Sequence, residues 1–196
     1  MIIGLIGQKR VGKDTVAGMF KEFNQDFKTY ALADPIKDIA RIMFGFSEKQ
    51  LFDADKDIVD TKWGIKPREF FEQFGTEIMQ FDIYNYLPDL QNAVPKRLFW
   101  VHSLMSKIGK SNDKDVIITD VRGMHELCEI KKRKAIFIRI IKPDRQVSQS
   151  DCSHITQKEP NEIGDEYLFD TIVNDGSLED LRAKVENVWK RVKLYY

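Results

Sequence analysis

Residues 7 to 15 read Gly-Gln-Lys-Arg-Val-Gly-Lys-Asp-Thr, directly after the apolar run Ile2–Ile6. A strand entering a loop framed by glycines, then a lysine opening a helix, is the pattern that cradles a polyphosphate. Backbone N–H groups turn inward, the positive end of the helix dipole lies beneath, and Lys13 reaches the β- and γ-phosphates. Gly7 and Gly12 allow backbone conformations that a Cβ would obstruct. Gly7, Lys9, Arg10, Val11, Gly12, Lys13, Asp14 and Thr15 are therefore candidate contacts for a nucleoside triphosphate. The residue after the lysine is usually Ser or Thr, with its hydroxyl on Mg²⁺. Here it is Asp14, with Thr15 next, and both are candidate metal ligands.

A second cluster closes the apolar run Val116-Ile117-Ile118-Thr119. Asp120 at the end of such a strand is where phosphate-loop proteins hold the acid that positions Mg²⁺. Arg122 follows at a helix start, where the dipole disfavours a cation unless an anion is near. A third candidate is Arg68 in Lys66-Pro67-Arg68, again at a helix N-terminus, which Pro67 suits. Gly75 lies inside the same helical pattern. It costs about 1 kcal/mol against alanine there, which hints at close approach of another group.

These residues need a scaffold. Apolar runs at Ile2–Ile6, Phe27–Leu32, Val116–Thr119, Ala135–Ile141 and Thr171–Val173 read as strands of a parallel sheet covered on both faces. Helical patterns lie between them at Lys13–Phe23, Pro35–Phe44, Pro67–Phe81, Leu98–Ile108, Gly123–Lys134 and Ser177–Val192. In the third, Phe70, Phe71, Phe74, Ile78 and Phe81 form the apolar face. The last opens with Ser177 as N-cap and Asp180 three residues on. Alternation of strand and helix predicts a doubly wound α/β sheet with ligands at the carboxyl ends of the strands. Two segments break it. The stretch 35–110 is helical and reads as an inserted substrate module within one domain whose core is 1–34 and 111–196. The stretch 143–164 is polar and weakly periodic, and reads as a long loop or lid.

Composition narrows the classes. Lys plus Arg and Asp plus Glu balance at 31 each over 196 residues. No basic field exists to hold duplex nucleic acid, so nucleic acid is not an expected partner. No apolar stretch approaches a membrane span, and the first residues read as a strand instead of a signal peptide. Cys128 and Cys152 form no metal or disulfide framework, which fits a reducing, cytoplasmic setting.

The ordered set of motifs resembles a family. The loop Gln8–Thr15, the stretch Ala31–Lys37, the stretch Lys66-Pro67-Arg68 through Phe74-Gly75-Thr76-Glu77, the strand Ile118–Arg122 and the ending Val173–Leu181 occur in this order in the deoxynucleoside monophosphate kinases of phages and large DNA viruses. The resemblance spans nearly the whole chain. It implies a three-layer phosphate-loop kinase fold with a central five-stranded parallel sheet, a helical acceptor-binding insert and a lid. It implies ATP and Mg²⁺ as cofactors and a deoxynucleoside monophosphate as small-molecule partner. Lys13 and the loop would hold the ATP phosphates. Asp34, Lys37, Arg68, Gln73, Gly75, Thr76 and Arg122 would meet the acceptor, and Arg145 would close from the lid. Asn174, Asp175 and Gly176 would receive the adenine. Lys13, Arg68, Arg122 and Arg145 would serve the transfer, with Asp14, Thr15 and Asp120 at the metal. The oligomeric state stays open, with a homodimer as one option. The chain departs from the family pattern at Gln80, at His154-Ile155-Thr156-Gln157 and in the stretch Gly123-Met124-His125-Glu126.

Two other readings compete. A phosphomevalonate kinase of the animal type carries a similar loop. A GTP-dependent switch would share the D-x-x-G spacing of Asp120–Gly123, but the guanine-reading N-K-x-D is missing.

Overall fold

The computed structural model describes residues 1–52, 54–143 and 159–196. Five strands, β1 (Ile2–Ile6), β2 (Lys28–Tyr30), β3 (Val116–Val121), β4 (Ile136–Ile141) and β5 (Asp170–Val173), form one sheet in the order β2-β3-β1-β4-β5. Every pairing is parallel. The near-continuous apolar runs follow from burial on both faces. Ile3, Leu5, Ile117, Ile136, Ile138 and Ile140 face a core shared with α1 (Lys13–Phe23) and α9 (Leu178–Tyr195). Their alternates Ile6, Ile118 and Phe137 are buried just as fully. Phe20, Phe27 and Trp189 meet edge to face, with centroids 5.7–6.5 Å apart. The Ser177 cap forms as expected. The Asp180 amide donates to the Ser177 hydroxyl at 3.1 Å, and the Ser177 amide donates back to the Asp180 carboxylate at 3.0 Å.

By internal contacts the chain divides into Met1–Ala31 with Ser106–Tyr196, which holds the sheet, and Leu32–Met105, which is helical. The helical unit contains α2 (Asp34–Phe44), α3 (Glu48–Phe52), a 3₁₀ turn (Ala54–Asp57), α4 (Pro67–Glu72), a π-helical segment (Gln73–Asp82), α5 (Ile83–Tyr86), α6 (Leu90–Ala93) and the start of α7 (Phe99–Ser111). Its core is aromatic. Phe44 meets Phe70 at 4.9 Å, Phe70 stacks on Phe74 at 4.9 Å, and Phe46 and Leu51 are buried beside them. The sheet unit is completed by α8 (Met124–Lys131).

One expected face is corrected. An α-helix over 67–81 would bury Ile78 and Phe81, but these are 40% and 36% exposed, while Gly75, Thr76, Gln80 and Tyr84 are buried. The physical reason is the π segment. Its hydrogen bonds run from i to i+5, so one face recurs every four to five residues instead of every 3.6. The aromatic positions before residue 75 keep α spacing, and those after it rotate off the core. The same rotation separates Gln73, which is exposed, from Thr76, which is buried.

Candidate functional site

The phosphate loop leaves β1, the middle strand of the sheet. Gly7 takes φ 151° and Gly12 φ 102°, and Arg10 between them is left-handed at φ 64°. A Cβ on Gly12 would stand 2.7 Å from the Asn174 side chain, and one on Gly7 would stand 2.5 Å from the Ile140 carbonyl. Both conformation and space thus demand glycine at the loop's two ends. Arg10 stores a little backbone strain, as residues at ligand-binding turns often do. Helix α1 begins at Lys13 behind Gly12, an N-cap residue with no side chain of its own to accept from the first turn. The Lys13 ammonium donates to the Gly7 and Gln8 carbonyls at 2.8 and 2.7 Å, so it lies over the loop's own backbone. Asp14 and Thr15 are exposed in the first turn of α1.

Parallel pairing carries the other candidates of this unit to the same sheet edge. Ile6 lies opposite Val121 on one side and Arg139 on the other, and Ile141 lies opposite Val173. β3 runs two residues past the expected Thr119, so Asp120 is its next-to-last residue and Arg122 follows it, while Asn174, Asp175 and Gly176 follow β5, all at the carboxyl edge where the loop begins. This is the edge at which ligands bind in open α/β sheets. Asp175 pairs with Lys184 of α9 at 2.5 Å, and that ammonium also donates to the Val173 carbonyl at 2.8 Å. The hydrogen bond from Lys184 holds the Asp175 carboxyl below its ordinary value.

Glu126, to which the sequence reading gives no site role, belongs to the turn of Arg122 and Gly123. It sits three positions after Gly123, the spacing at which a carboxylate returns to the start of its own helix. Its Oε2 accepts the Arg122 amide at 2.7 Å and the Gly123 amide at 3.1 Å. The residue keeps some exposed surface, but its carboxylate is turned inward onto this turn. Burial pushes the carboxyl up from 4.5 to about 7, against the pull of those two amides, with the nearby Asp120 charge adding to the rise.

The helical unit holds the remaining candidates. Asp34 opens α2 and stands 3.7 Å from the Lys37 ammonium, which also lies 4.1 Å above the Phe52 ring. Arg68 presents its guanidinium fork to Asp57, with Nη2 donating to Oδ2 at 3.0 Å and Nε donating to Oδ1. Two parallel bonds of this kind are how arginine also grips phosphate. Gly75 does carry a close approach. A Cβ there would lie 2.8 Å from Ile36 Cδ1, and its carbonyl accepts the Trp100 indole N–H at 2.6 Å. Arg145 and most of the expected lid lie outside the described residues.

A phosphate loop on the central strand of a parallel sheet, with an acid and an arginine at the end of the neighbouring strand, defines a phosphate-loop protein of the kinase-type α/β fold. Residues 1–63 and 46–185 match the model of the deoxynucleotide monophosphate kinase family, and the chain belongs to that family. A protein of Acanthamoeba polyphaga mimivirus, named provisionally as a deoxynucleotide monophosphate kinase, is 28% identical over 94% of both chains. The deoxynucleotide monophosphate kinase of Enterobacteria phage T4 is 26% identical over 96% of this chain and 98% of its own. Among solved structures, TT1252 from Thermus thermophilus has a TM-score of 0.51 at 18% identity over 97% of both chains, which marks a shared fold. Neither the phosphomevalonate kinase reading nor the switch reading is favoured.

Proposed function

We propose that this protein transfers the γ-phosphoryl group of ATP to a deoxynucleoside monophosphate. The observation that carries the reading is the phosphate loop, formed on the middle strand in a chain whose family membership extends over residues 1–185. In the step, the bond from Pγ to the β,γ-bridging oxygen breaks as a bond to an acceptor phosphate oxygen forms, giving ADP and a deoxynucleoside diphosphate. Such a transfer needs position and charge neutralisation more than covalent help. The sheet unit would take ATP, with the loop amides and Lys13 on the phosphates and Arg122 beside them. The helical unit 32–105 would take the acceptor through Lys37 and Arg68, and Arg145 would close over the phosphates.

The donor set fits Mg²⁺. Asp14, Thr15 and Asp120 offer hard oxygen atoms, and a magnesium ion that arrives on nucleotide phosphates needs only one or two protein ligands. When bound, the ion neutralises charge on the transferring phosphoryl group. No helix among the described residues is long and apolar enough to cross a membrane. The reducing cytoplasm, of a host cell where the gene is viral, is the setting we infer.

The test is an ADP-release assay over a panel of ribo- and deoxynucleoside monophosphates, with Arg68→Ala alongside. Turnover stimulated by at least one deoxynucleoside monophosphate is expected. Arg68→Ala should raise the acceptor KM roughly tenfold or more, as for loss of a charge-assisted contact, with ATP affinity unchanged. ATP hydrolysis indifferent to every monophosphate would overturn the reading.

A further inference from the structure

The loop after β5 makes a contact that adenine binding does not require. Asn174 Nδ2 donates to the Val11 carbonyl at 3.0 Å. Val11 lies in the phosphate loop, one residue before the Gly12 carbonyl that accepts the first bond of α1, from Val16 at 3.0 Å. The Val11 carbonyl thus stands just outside the helical ladder, where a buried acceptor needs a partner. Val11 itself is 3% exposed. Asn174 is held from its own side, because its amide donates to the Ile141 carbonyl at 2.7 Å as the last rung of the β4–β5 pairing. The same side-chain nitrogen would stand 2.7 Å from a Cβ on Gly12. Asparagine and glycine therefore fit each other across 162 positions of sequence, and the φ of 102° at Gly12 is maintained at that contact.

We propose that Asn174 is a positioning residue for the phosphate loop: its amide ties the end of β5 to Val11 and holds the loop in its phosphate-binding shape, acting on the triphosphate through the loop and not by contact with the base. The proposal rests on the reading of this loop as the ATP site. Asn174 has the two properties the role requires. Its carboxamide donates without charge, so it adds no repulsion beside a polyphosphate. It is also anchored to the sheet, the stiffest part of the fold, so the tie resists opening of the loop. Aspartate would keep the shape, lose the donor and add an anion. Alanine would remove the tie altogether.

Two measurements on Asn174→Ala and Asn174→Asp test it: ATP affinity by calorimetry, and amide hydrogen exchange of residues 8–13 without nucleotide. The expected result is three- to tenfold weaker ATP binding in Asn174→Ala, as for one lost hydrogen bond. Loss should be larger in Asn174→Asp, and loop amides should exchange faster in both while those of β1 and β4 stay protected. Weaker ATP binding with loop exchange unchanged would mean that Asn174 touches the nucleotide directly, and overturns the proposal. Unchanged ATP affinity overturns it as well. If Asn174→Ala loses protection throughout the sheet, Asn174→Ser, which keeps a short donor, decides by the same two readings. Failure of the wild-type protein to bind ATP would refute the proposed function instead, and the exchange measurement would still report on the tie.

Discussion

Lys13 and Glu126 show how differently two charged residues can serve one sheet edge. The Lys13 ammonium is held at the loop by two carbonyls, each within 2.8 Å, and phosphate oxygens offer it a stronger, charge-assisted partner. On the proposed function, in which the ammonium would stabilise charge that develops in transfer, Lys13→Ala should lower kcat by two or more orders of magnitude. Its thermal unfolding should stay close to wild type, and single-turnover kinetics beside a melting curve would check both. Glu126 has the opposite character: its charge is a burden to the fold. Its carboxyl is raised to about 7, so below pH 4.5 folded and unfolded chains both hold the proton and no penalty exists. As pH rises from 4.5 to 7 the unfolded chain ionises first, and stability falls, then levels off above 7. Glu126→Gln keeps an oxygen for the Arg122 and Gly123 amides and removes the titration. It should be more stable than wild type at pH 8 by on the order of 1–2 kcal/mol, with the advantage absent at pH 4. Urea midpoints at the two pH values measure this, and an equal difference at both would refute it.

At the scale of elements, the π segment 73–82 decides which side chains the helical unit buries. Gly75 lies within it, with Ile36 Cδ1 2.8 Å from where a Cβ would stand and the Trp100 indole on its carbonyl. Gly75→Ala gains helix propensity of up to about 1 kcal/mol, while the new methyl meets only Ile36 Cδ1, the rotatable end of a side chain whose next atoms stand 3.7 and 3.8 Å away. Turning that end aside costs about 0.5–1.5 kcal/mol, close to the propensity gained, so the single variant should stay within about 1 kcal/mol of wild type. Ile36→Val removes the opposing methyl and alone costs about 0.5–1.5 kcal/mol. In the double variant the two changes should offset each other, giving a favourable coupling of at least about 0.5 kcal/mol in a denaturant double-mutant cycle. Strict additivity would mean that Ile36 does not limit this position. Because Ile36 adjoins Lys37 on α2, the acceptor KM of Gly75→Ala should rise as well.

For the whole molecule, binding and stability are linked. Ligand that binds only the folded chain stabilises it by roughly 2.7 kcal/mol at a hundred times its Kd. For a protein of this length each kcal/mol corresponds to about 2–4 °C in Tm, so saturating Mg-ATP should raise Tm by about 5–10 °C. Lys13→Ala should abolish most of that rise. A wild-type melting curve unmoved by ATP would show that the loop does not form a nucleotide site in solution. The balance of 31 basic and 31 acidic residues predicts the complementary result, no comparable shift with duplex DNA at physiological salt.

The five parallel strands, the loop between β1 and α1, and the Ser177 cap could be read from the chain because each depends on neighbours a few residues away. Apolar runs mark strands buried on both faces, glycines mark special φ values, and a cap needs only its own helix. The family was legible for the same reason, since its motifs are short and keep their order. The pairings that tune the site run across the fold and leave no local signature. Asn174 meets Val11 because β4 and β5 end beside the loop. Arg68 meets Asp57 because a 3₁₀ turn brings the carboxylate to the guanidinium fork. Burial, with the Asp120 charge beside it, raises Glu126, although its spacing after Gly123 was visible. The π segment was beyond pattern reading altogether, because its apolar residues start at α-helical spacing. Tertiary packing then chose a wider turn that buries Thr76 and Gln80 and joins the Gly75 carbonyl to Trp100, an indole whose place only the folded unit determines.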